Sequence, residues 1–356
     1  MAAVERTPFD THDKPVGWAV VGLGMGKLHA EYVARSPGLR LVAICDSRRD
    51  VLEKRAKELP PAALYESLDQ VLDDARVQGV SLVLPHDQHA PAAIKCLEAG
   101  RHVVLDKPFC LSVADGKKMI ALARRKRRLL SVFHNRRWDA DFVTIRRLVE
   151  SGAIGRVRYI ESRVASPGRW SPGFWRAERR HMGGLLYDWG AHLIDQALIL
   201  VKSRPVSVYG FAQRDVPVQK GWDVEERMQA VIRFEDGAVA LVAWMLASPA
   251  PVPRFVIEGE RGGIREDREI HSLEKPRGRD GVELWVARPG KGRVQRTVPY
   301  ARVDWSAYYR NIGRALAGRE PLAVLPEEAL RHVAVNEAAY RSARTGEAVA
   351  LPRGLF

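Results

Sequence analysis

Three polar side chains in the segment YDWGAHLID could do acid-base chemistry: Asp188, His192 and Asp195. Spacings of four and three residues place them on one face of a helix. A histidine there can carry a proton near neutral pH, and a carboxylate one turn away orients the ring and stabilises its charged form. The same spacing also suits metal ligands, and a plain ion pair on a helix face is a further alternative. We expect proton transfer without a metal.

Lys107, in the segment LDKPF, is a second reactive group. It follows the apolar run RHVVLD, which is typical of a buried strand. Ligands of an open parallel sheet bind at the carboxyl ends of its strands, where a lysine can act as an acid or a base or polarise a hydroxyl. Elsewhere, a Lys-Pro pair would indicate only an exposed turn.

The segment GLGMGKLH, residues 22–29, follows an apolar run and opens a predicted helix. Glycines at Gly22, Gly24 and Gly26 let the main chain turn tightly and approach a pyrophosphate, which rests at the helix N-terminus. The third glycine comes one residue earlier than in the standard fingerprint, where Lys27 stands instead. The context of a strand before and a helix after nevertheless favours dinucleotide binding.

Asp46 ends the second predicted strand about twenty residues after the glycine turn, where a carboxylate binds the ribose 2′-hydroxyl. A carboxylate there repels a 2′-phosphate and so favours NAD as the cofactor. The adjacent Arg48 and Arg49 attract a phosphate, so NADP stays possible.

Elements able to position these groups are visible in the hydrophobic pattern of residues 16–132. Short apolar runs alternate with longer amphipathic segments, which indicates parallel strands joined by crossover helices. Helix boundaries are marked by Gly100 after one helix and by Ser112 before the next. The predicted strands are VGWAVV, LRLVAIC, VSLVLP, RHVVLD and LLSVF.

The pattern changes after Asn135. Helices near 139–151 and 184–200 flank a strand near 157–164, and a series of strands follows from about 206 to 298, including a hairpin that turns at Asp236 and Gly237. Two amphipathic helices, near 305–317 and 327–344, finish the chain. The predicted fold class is α/β, with an N-terminal Rossmann doubly wound parallel sheet and a C-terminal α+β domain that has a large, mostly antiparallel, open-faced sheet.

We accordingly divide the chain into three segments. Residues 1–15 form a loose N-terminal tail, 16–135 the NAD(P)-binding domain, and 136–356 a substrate-binding and oligomerisation domain whose C-terminal helices pack back toward the first domain. An open sheet face carrying Val239, Leu241 and Trp244 would be a large apolar patch, which favours a homodimer or homotetramer.

Composition excludes several classes of partner. The formal net charge is +14, and the densest basic run, Arg124 to Arg128, closes a predicted helix, where cations complement the helix dipole. Because no aromatic residues alternate with these cations, we expect no nucleic-acid partner. No apolar stretch is long enough to span a membrane. Three cysteines, Cys45, Cys96 and Cys110, are predicted to be buried thiols in a reducing cytoplasm.

Taken together, these motifs resemble the Gfo/Idh/MocA oxidoreductases, a family that includes inositol dehydrogenases and glucose-fructose oxidoreductase. The resemblance rests on the Gly-x-Gly start and on residues 84–109, 133–142 and 183–198, and it extends from Trp18 to about Val349. It implies that Lys107 is the lysine of the family's Glu-Lys-Pro motif, although Asp106 replaces the glutamate.

The resemblance also implies that Asp188 and His192 match the family's Asp-x3-His pair, so that the catalytic residues are Lys107, Asp188 and His192. The cofactor-binding residues would be Gly22, Leu23, Gly24, Met25, Gly26, Asp46, Ser47, Arg48, Pro85, His86, His89, Asp106 and Lys107. The substrate-binding residues would be Asn135, Arg136, Trp175, Arg176 and His192.

The implied activity is transfer of a hydride between nicotinamide and a secondary alcohol carbon of a sugar, a polyol or a sugar derivative, with NAD or NADP as cofactor. His192 would be the general base and Lys107 would lie at the reacting oxygen. Two alternatives stay open: a glycosidase of the same family that retains its NAD, and a non-catalytic dinucleotide-dependent regulator. A regulator would be expected to lack Lys107 or His192, and both are present.

Overall fold

Two structural units make up the chain in the computed structural model, which describes residues 8–215, 217–267, 281–288, 290 and 292–356. Unit 1 contains the residues up to His134 together with Ser306–Leu330, and unit 2 contains Asn135–Trp305 together with Arg331–Phe356. A segment from the end of the chain therefore completes each unit. Part of the predicted strand series, residues 268–280, lies outside the described residues.

A parallel sheet with strand order β3-β2-β1-β4-β5-β6 is the centre of unit 1. Helices flank it, so a strand such as β1 is buried along its whole length, and its sequence is a continuous apolar run. The predicted parallel sheet is confirmed, with one further edge strand, β3. The elements are β1 Val16–Val21, α1 Gly26–Arg35, β2 Leu39–Cys45, α2 Arg49–Glu58, β3 Ala63–Tyr65, α3 Leu68–Asp73, β4 Gly79–Leu82, α4 His89–Glu98, β5 His102–Leu105, α5 Val113–Lys126, β6 Leu130–Val132 and, after unit 2 begins, α9 Ala307–Leu316.

The N-terminal segment, predicted as a loose tail, makes contacts with the rest of unit 1 at three of its described residues. Phe9 is buried, and main-chain groups of Asp10 and His12 donate to carbonyls of Arg127 and Leu316. The Asp10 carboxylate also accepts from the guanidinium groups of Arg127 and Arg128. Part of the basic run at the end of α5 therefore anchors the start of the chain.

The described residues of unit 2 contain a second sheet, with strand order β14-β13-β12-β11-β7-β10-β9-β8-β15. All its recorded pairings are antiparallel except that of β7 with β10, which confirms the predicted mostly antiparallel sheet. The elements are α6 Ala140–Glu150, β7 Val157–Ala165, α7 Arg179–Met182, α8 Leu185–Leu200, β8 Pro205–Gln213, β9 Arg227–Phe234, β10 Val239–Met245, β11 Phe255–Gly259, β12 Gly262–Glu266, β13 Gly281–Arg288, β14 Gly292–Pro299, α10 Pro326–Thr345, which belongs to unit 2 from Arg331 onward, and β15 Val349–Ala350.

Helix α8 packs against β10, β7 and β9, and this packing determines the two faces of the sheet. Side chains alternate along β10, so Ala240, Val242 and Trp244 are buried, whereas Val239 and Leu241 are only half-buried. The prediction that Trp244 lies on the open face is therefore wrong. Its indole ring lies 5.8 Å from that of Trp189 on α8.

Two composition-based predictions can be compared with the fold. Cys45, Cys96 and Cys110 are buried thiols, as predicted, and burial raises the pKa of Cys45 and of Cys96 to about 12. No helix in the described ranges has the length and apolar character needed to cross a membrane.

Candidate active site

The three glycines of the turn between β1 and α1 differ in what a β-carbon at each position would contact. Gly22 has a φ of +87°, and a β-carbon there would lie 2.1 Å from the carbonyl oxygen of Val83. A β-carbon on Gly26 would lie 3.2 Å from Val20 Cγ1, so this glycine permits close packing of α1 on the sheet. A β-carbon on Gly24 would meet nothing within 4 Å. The main chain at Gly24 is thus unobstructed, as the approach of a pyrophosphate to this turn requires.

Asp46 is held directly beside this turn. Its carboxylate accepts hydrogen bonds from Leu23 N at 2.8 Å and from the Arg48 main chain at 3.0 Å, Nε at 3.1 Å and Nη2 at 3.2 Å. Burial alone would raise the pKa of Asp46, but the bonds from Arg48 and Leu23 outweigh burial and lower it. The Arg48 side chain is 61% exposed and that of Asp46 only 5%. At the position where we expect the ribose, the Arg48 guanidinium is therefore the more exposed group and the Asp46 carboxylate the more buried one.

Lys107 lies just beyond β5, and the carboxylate of Asp106 helps to fix its main chain. Asp106 Oδ1 accepts from Lys107 N at 2.9 Å and lies 4.0 Å from His29 Nε2. His29 Nδ1 is in turn 2.7 Å from the hydroxyl of Tyr309. The shorter aspartate in this motif therefore faces the interior of unit 1, and the Lys107 side chain itself is half-buried.

His89 connects the two loops that follow β4 and β5. Its Nδ1 lies 2.7 Å from the carbonyl oxygen of Pro108 and its Nε2 lies 3.0 Å from that of Leu84. Burial lowers the pKa of His89, which favours the neutral ring, and a neutral ring can donate to only one of the two carbonyls. The side chain predicted to touch the cofactor is thus directed at the main chain. His86 is also buried, Pro85 is half-buried, and Ser47 and Met25 are exposed.

In unit 2, Asp188 and His192 lie one turn apart on α8, and each is about 5% exposed. Arg176 Nε lies 3.7 Å from Asp188 Oδ1, and the Trp189 ring meets the His192 ring edge-on at 5.8 Å. Helix α8 therefore places a carboxylate one turn before a buried imidazole, a spacing that suits a proton-carrying histidine.

Asp195, the third member of the predicted line, is engaged elsewhere. Both of its oxygens accept from the Arg137 guanidinium, at 2.6 and 2.8 Å, in a buried pair. Among the described residues no group of three or more His, Cys, Asp or Glu side chains is arranged to hold a metal ion. The three-residue spacing that suits metal ligands therefore does not correspond to a ligand cluster in this part of the chain.

The start of α8 is held by two residues that the sequence reading did not single out. Leu185 N donates to Glu225 Oε1 at 2.8 Å, and Leu186 N donates to the Tyr340 hydroxyl at 3.0 Å. That hydroxyl donates to Glu225 Oε1 at 2.5 Å, and Arg179 binds the other carboxylate oxygen. The only signal in the sequence was an acidic pair, Glu225 and Glu226, just before a strand.

The predicted substrate-binding residues also belong to unit 2. Asn135 is 9% exposed, and Arg136 lies over the indole of Trp189 with Cζ 4.1 Å from the ring centroid. Arg176 lies over Trp175 in the same way, at 4.3 Å. Since Trp189 also contacts His192, these arginines flank the part of α8 that carries the acid-base candidates.

Comparison with known proteins identifies the family of this chain. Residues 16–134 match the model described as an oxidoreductase family with an NAD-binding Rossmann fold, and residues 142–265 match the GFO/IDH/MocA C-terminal domain. The chain is 32% identical over 346 residues to the uncharacterized oxidoreductase YdgJ of Escherichia coli, covering 92% of this chain and 96% of that protein. It is 27% identical to the Bacillus subtilis scyllo-inositol 2-dehydrogenase (NADP(+)) IolW, covering 84% and 86% of the two chains.

A solved structure of an NAD-binding protein from Listeria innocua superimposes with a TM-score of 0.83 at 29% identity and covers 96% of this chain and 98% of its own. Two family models that together match more than half of the chain, and a relative above 30% identity along nearly its whole length, show the relationship. The chain therefore belongs to the Gfo/Idh/MocA family of NAD(P)-binding oxidoreductases.

Proposed function

We propose that this oxidoreductase moves a hydride between nicotinamide and a secondary alcohol carbon of a sugar, a polyol or a sugar derivative. The observation that carries the proposal is His192, a buried imidazole on α8 with a carboxylate one turn before it and an indole against its edge. The similarity to an inositol dehydrogenase supports the same class of substrate. The substrate-binding role would fall to Asn135, Arg136 and Arg176.

When bound, a nicotinamide cofactor would supply the hydride chemistry, and the protein's own residues would transfer the proton. His192 takes the hydroxyl proton as the alcohol carbon becomes a carbonyl carbon, and it returns that proton in the reverse direction. Asp188 stabilises the charged imidazole, and the family resemblance assigns to Lys107 a hydrogen bond to the reacting oxygen. The open main chain at Gly24 and the carboxylate of Asp46 would hold the dinucleotide.

The direct test is to incubate the purified protein with panels of polyols, sugars and sugar acids in the presence of NAD or NADP. Formation of the reduced cofactor, followed by its absorbance, is the expected result for at least one secondary alcohol. If the cofactor stays bound and unconsumed while a glycoside is cleaved, the NAD-retaining alternative replaces this proposal. A protein that binds NAD and neither oxidises nor cleaves any substrate in the panels would contradict both.

A further inference from the structure

Two guanidinium groups of unit 2 lie over aromatic rings beside α8. Arg136 Cζ is 4.1 Å from the ring centroid of Trp189 and 5.5 Å from that of Trp305, while Arg176 Cζ is 4.3 Å from Trp175. Stacking fixes the plane of a guanidinium but leaves the N–H groups at its edge available to a planar acceptor. These arginines are therefore presented as rigid donors.

Arg136 is fixed further by a buried carboxylate behind it. Its Nη1 donates to Asp139 Oδ2 at 3.0 Å, and Trp305 Nε1 donates to Asp139 Oδ1 at 3.0 Å. In the ranges that the structure describes, Nη1 is the one guanidinium nitrogen of Arg136 with an acceptor on the protein. The remaining N–H groups of this fork are therefore available to a ligand, and little side-chain entropy is lost when they bind.

The order of charges along both arginine pairs is the same. The Arg136 side chain is 13% exposed and that of Asp139 is 0%, and Arg176 is 25% exposed where Asp188 is 7%. In each pair, a ligand approaching from solvent meets the guanidinium before the carboxylate. The pairs are close to neutral in total, but the face that they present is cationic.

The indole of Trp189 places this fork next to the acid-base candidate. Arg136 lies over its ring, and His192 meets it edge-on with ring centroids 5.8 Å apart. The two contacts bring the guanidinium and the imidazole within the reach of a single six-carbon substrate. A substrate that reacts at His192 can therefore place a second functional group at Arg136.

We propose that this second group is a carboxylate, so that the substrate is an acid of the sugar or polyol class bound through Arg136. This inference rests on the function proposed above and specifies its substrate. A carboxylate accepts two parallel N–H bonds from the exposed edge of one guanidinium, whereas a hydroxyl accepts one. The charged and titratable groups that contact Trp189 or Asp188 in the described residues include Arg136, Arg176 and His192.

The experiment compares matched acid and neutral substrates on the full-length enzyme with its cofactor. Glucuronate and galacturonate are paired with glucose and galactose, and gluconate is paired with sorbitol. We expect kcat/KM to favour the acid in at least one pair. Arg136→Met should lower the ratio of acid to neutral kcat/KM by roughly 100-fold, because a charge-assisted bidentate contact is lost.

Two further variants make the result interpretable. Arg136→Lys keeps a cation for Asp139 but removes the fork, so the ratio should fall by an intermediate factor while the protein stays folded. Arg233→Met removes an exposed arginine of β9 and should leave the ratio unchanged. Calorimetric titration of the oxidised holoenzyme with each acid gives a second measurement that does not depend on turnover.

The outcomes separate this inference from the proposed function. An acid that binds through Arg136 without reducing the cofactor would contradict the proposed function and support the inference. Neutral substrates that react as well as their acids, or a ratio that Arg136→Met does not change, would overturn the inference and leave the function standing. Preferential use of a sugar phosphate at Arg136, or no binding of any acid, would also overturn it.

Discussion

The two units hold their functional groups by different means. In unit 1, the glycine turn and the loops after β4 and β5 are defined by main-chain atoms: a positive φ at Gly22, an amide from Leu23 and carbonyls around His89. In unit 2, the candidates on α8 are held by side-chain pairs such as Arg137 with Asp195. A site defined by main-chain geometry is sensitive to an added side-chain atom at a few positions. A site held by side-chain pairs is sensitive instead to the loss of a partner, and the partners come from several segments of the chain.

The largest effect is expected from the side chain to which the proposed chemistry is assigned. His192→Ala should lower kcat by about two to four orders of magnitude, because a positioned general base is lost. Circular dichroism should show the fold retained. His181→Ala, which removes a histidine outside the proposed machinery, is the matched control and should change kcat little. Turnover of the His192 variant near wild type would remove this residue from the mechanism.

A matched pair of glycine substitutions tests the main-chain half of the comparison. Gly22→Ala should reduce the free energy of unfolding by about 3 kcal/mol or more, since φ is +87° and the new β-carbon lies 2.1 Å from the Val83 carbonyl oxygen. Gly24→Ala should change the free energy of unfolding by no more than about 0.5 kcal/mol, because the new β-carbon meets only open space. The same substitution should weaken dinucleotide binding, because the methyl group would occupy space that the pyrophosphate needs. Urea denaturation and fluorescence titration with NAD measure the two quantities. Equal losses of stability would contradict the division of roles.

The side-chain half is tested at Glu225. Glu225→Gln keeps the shape of the side chain but weakens the charge-assisted bond from Arg179, so the free energy of unfolding should fall by about 2 kcal/mol. Activity should fall with it, because the first turn of α8 loses a strong acceptor. Glu226→Gln, in the neighbouring acid, should leave hydrogen exchange at Leu185 and Leu186 unchanged, whereas Glu225→Gln should accelerate it. Unchanged exchange in both variants would show that α8 needs no such anchor.

Cofactor choice depends on one side-chain pair within the main-chain-dominated unit. NAD should have a higher kcat/KM than NADP. Asp46→Ser should lower the ratio of the NAD value to the NADP value by about tenfold, because the carboxylate that repels the 2′-phosphate is lost and Arg48 is released from it. Steady-state kinetics with both cofactors gives the ratio. A wild-type preference for NADP would show that Arg48 determines the choice.

The smallest effect is expected from metal removal. Prolonged treatment with a chelator should leave kcat unchanged, since Asp195 is bound to Arg137 and the proposed proton transfer uses His192 without a metal. Activity that is lost on chelation and restored by one divalent ion would instead identify a metal-dependent step.

The contrast between units also explains what the sequence could predict. Strands such as β1, the Ser112 cap and the glycine turn follow local rules, and each was found where its pattern indicated. The edge strand β3 was missed because three partly exposed residues give no pattern. Asp195 was placed with His192 by helical spacing, but its partner, Arg137, lies 58 residues earlier in the chain. Pairings of that kind follow from the tertiary fold and leave no periodic signal.

The anchoring of α8 has a consequence for synthesis of the protein. Leu185 and Leu186 bond to side chains 40 and 154 residues further along the chain, and His29 in unit 1 meets Tyr309, 280 residues later. A nascent chain therefore cannot complete either unit until its last segments have left the ribosome. Fragments released early would carry the glycine turn, Lys107 and His192 with apolar surface still uncovered, and would be substrates for chaperones and proteases rather than partly active enzymes.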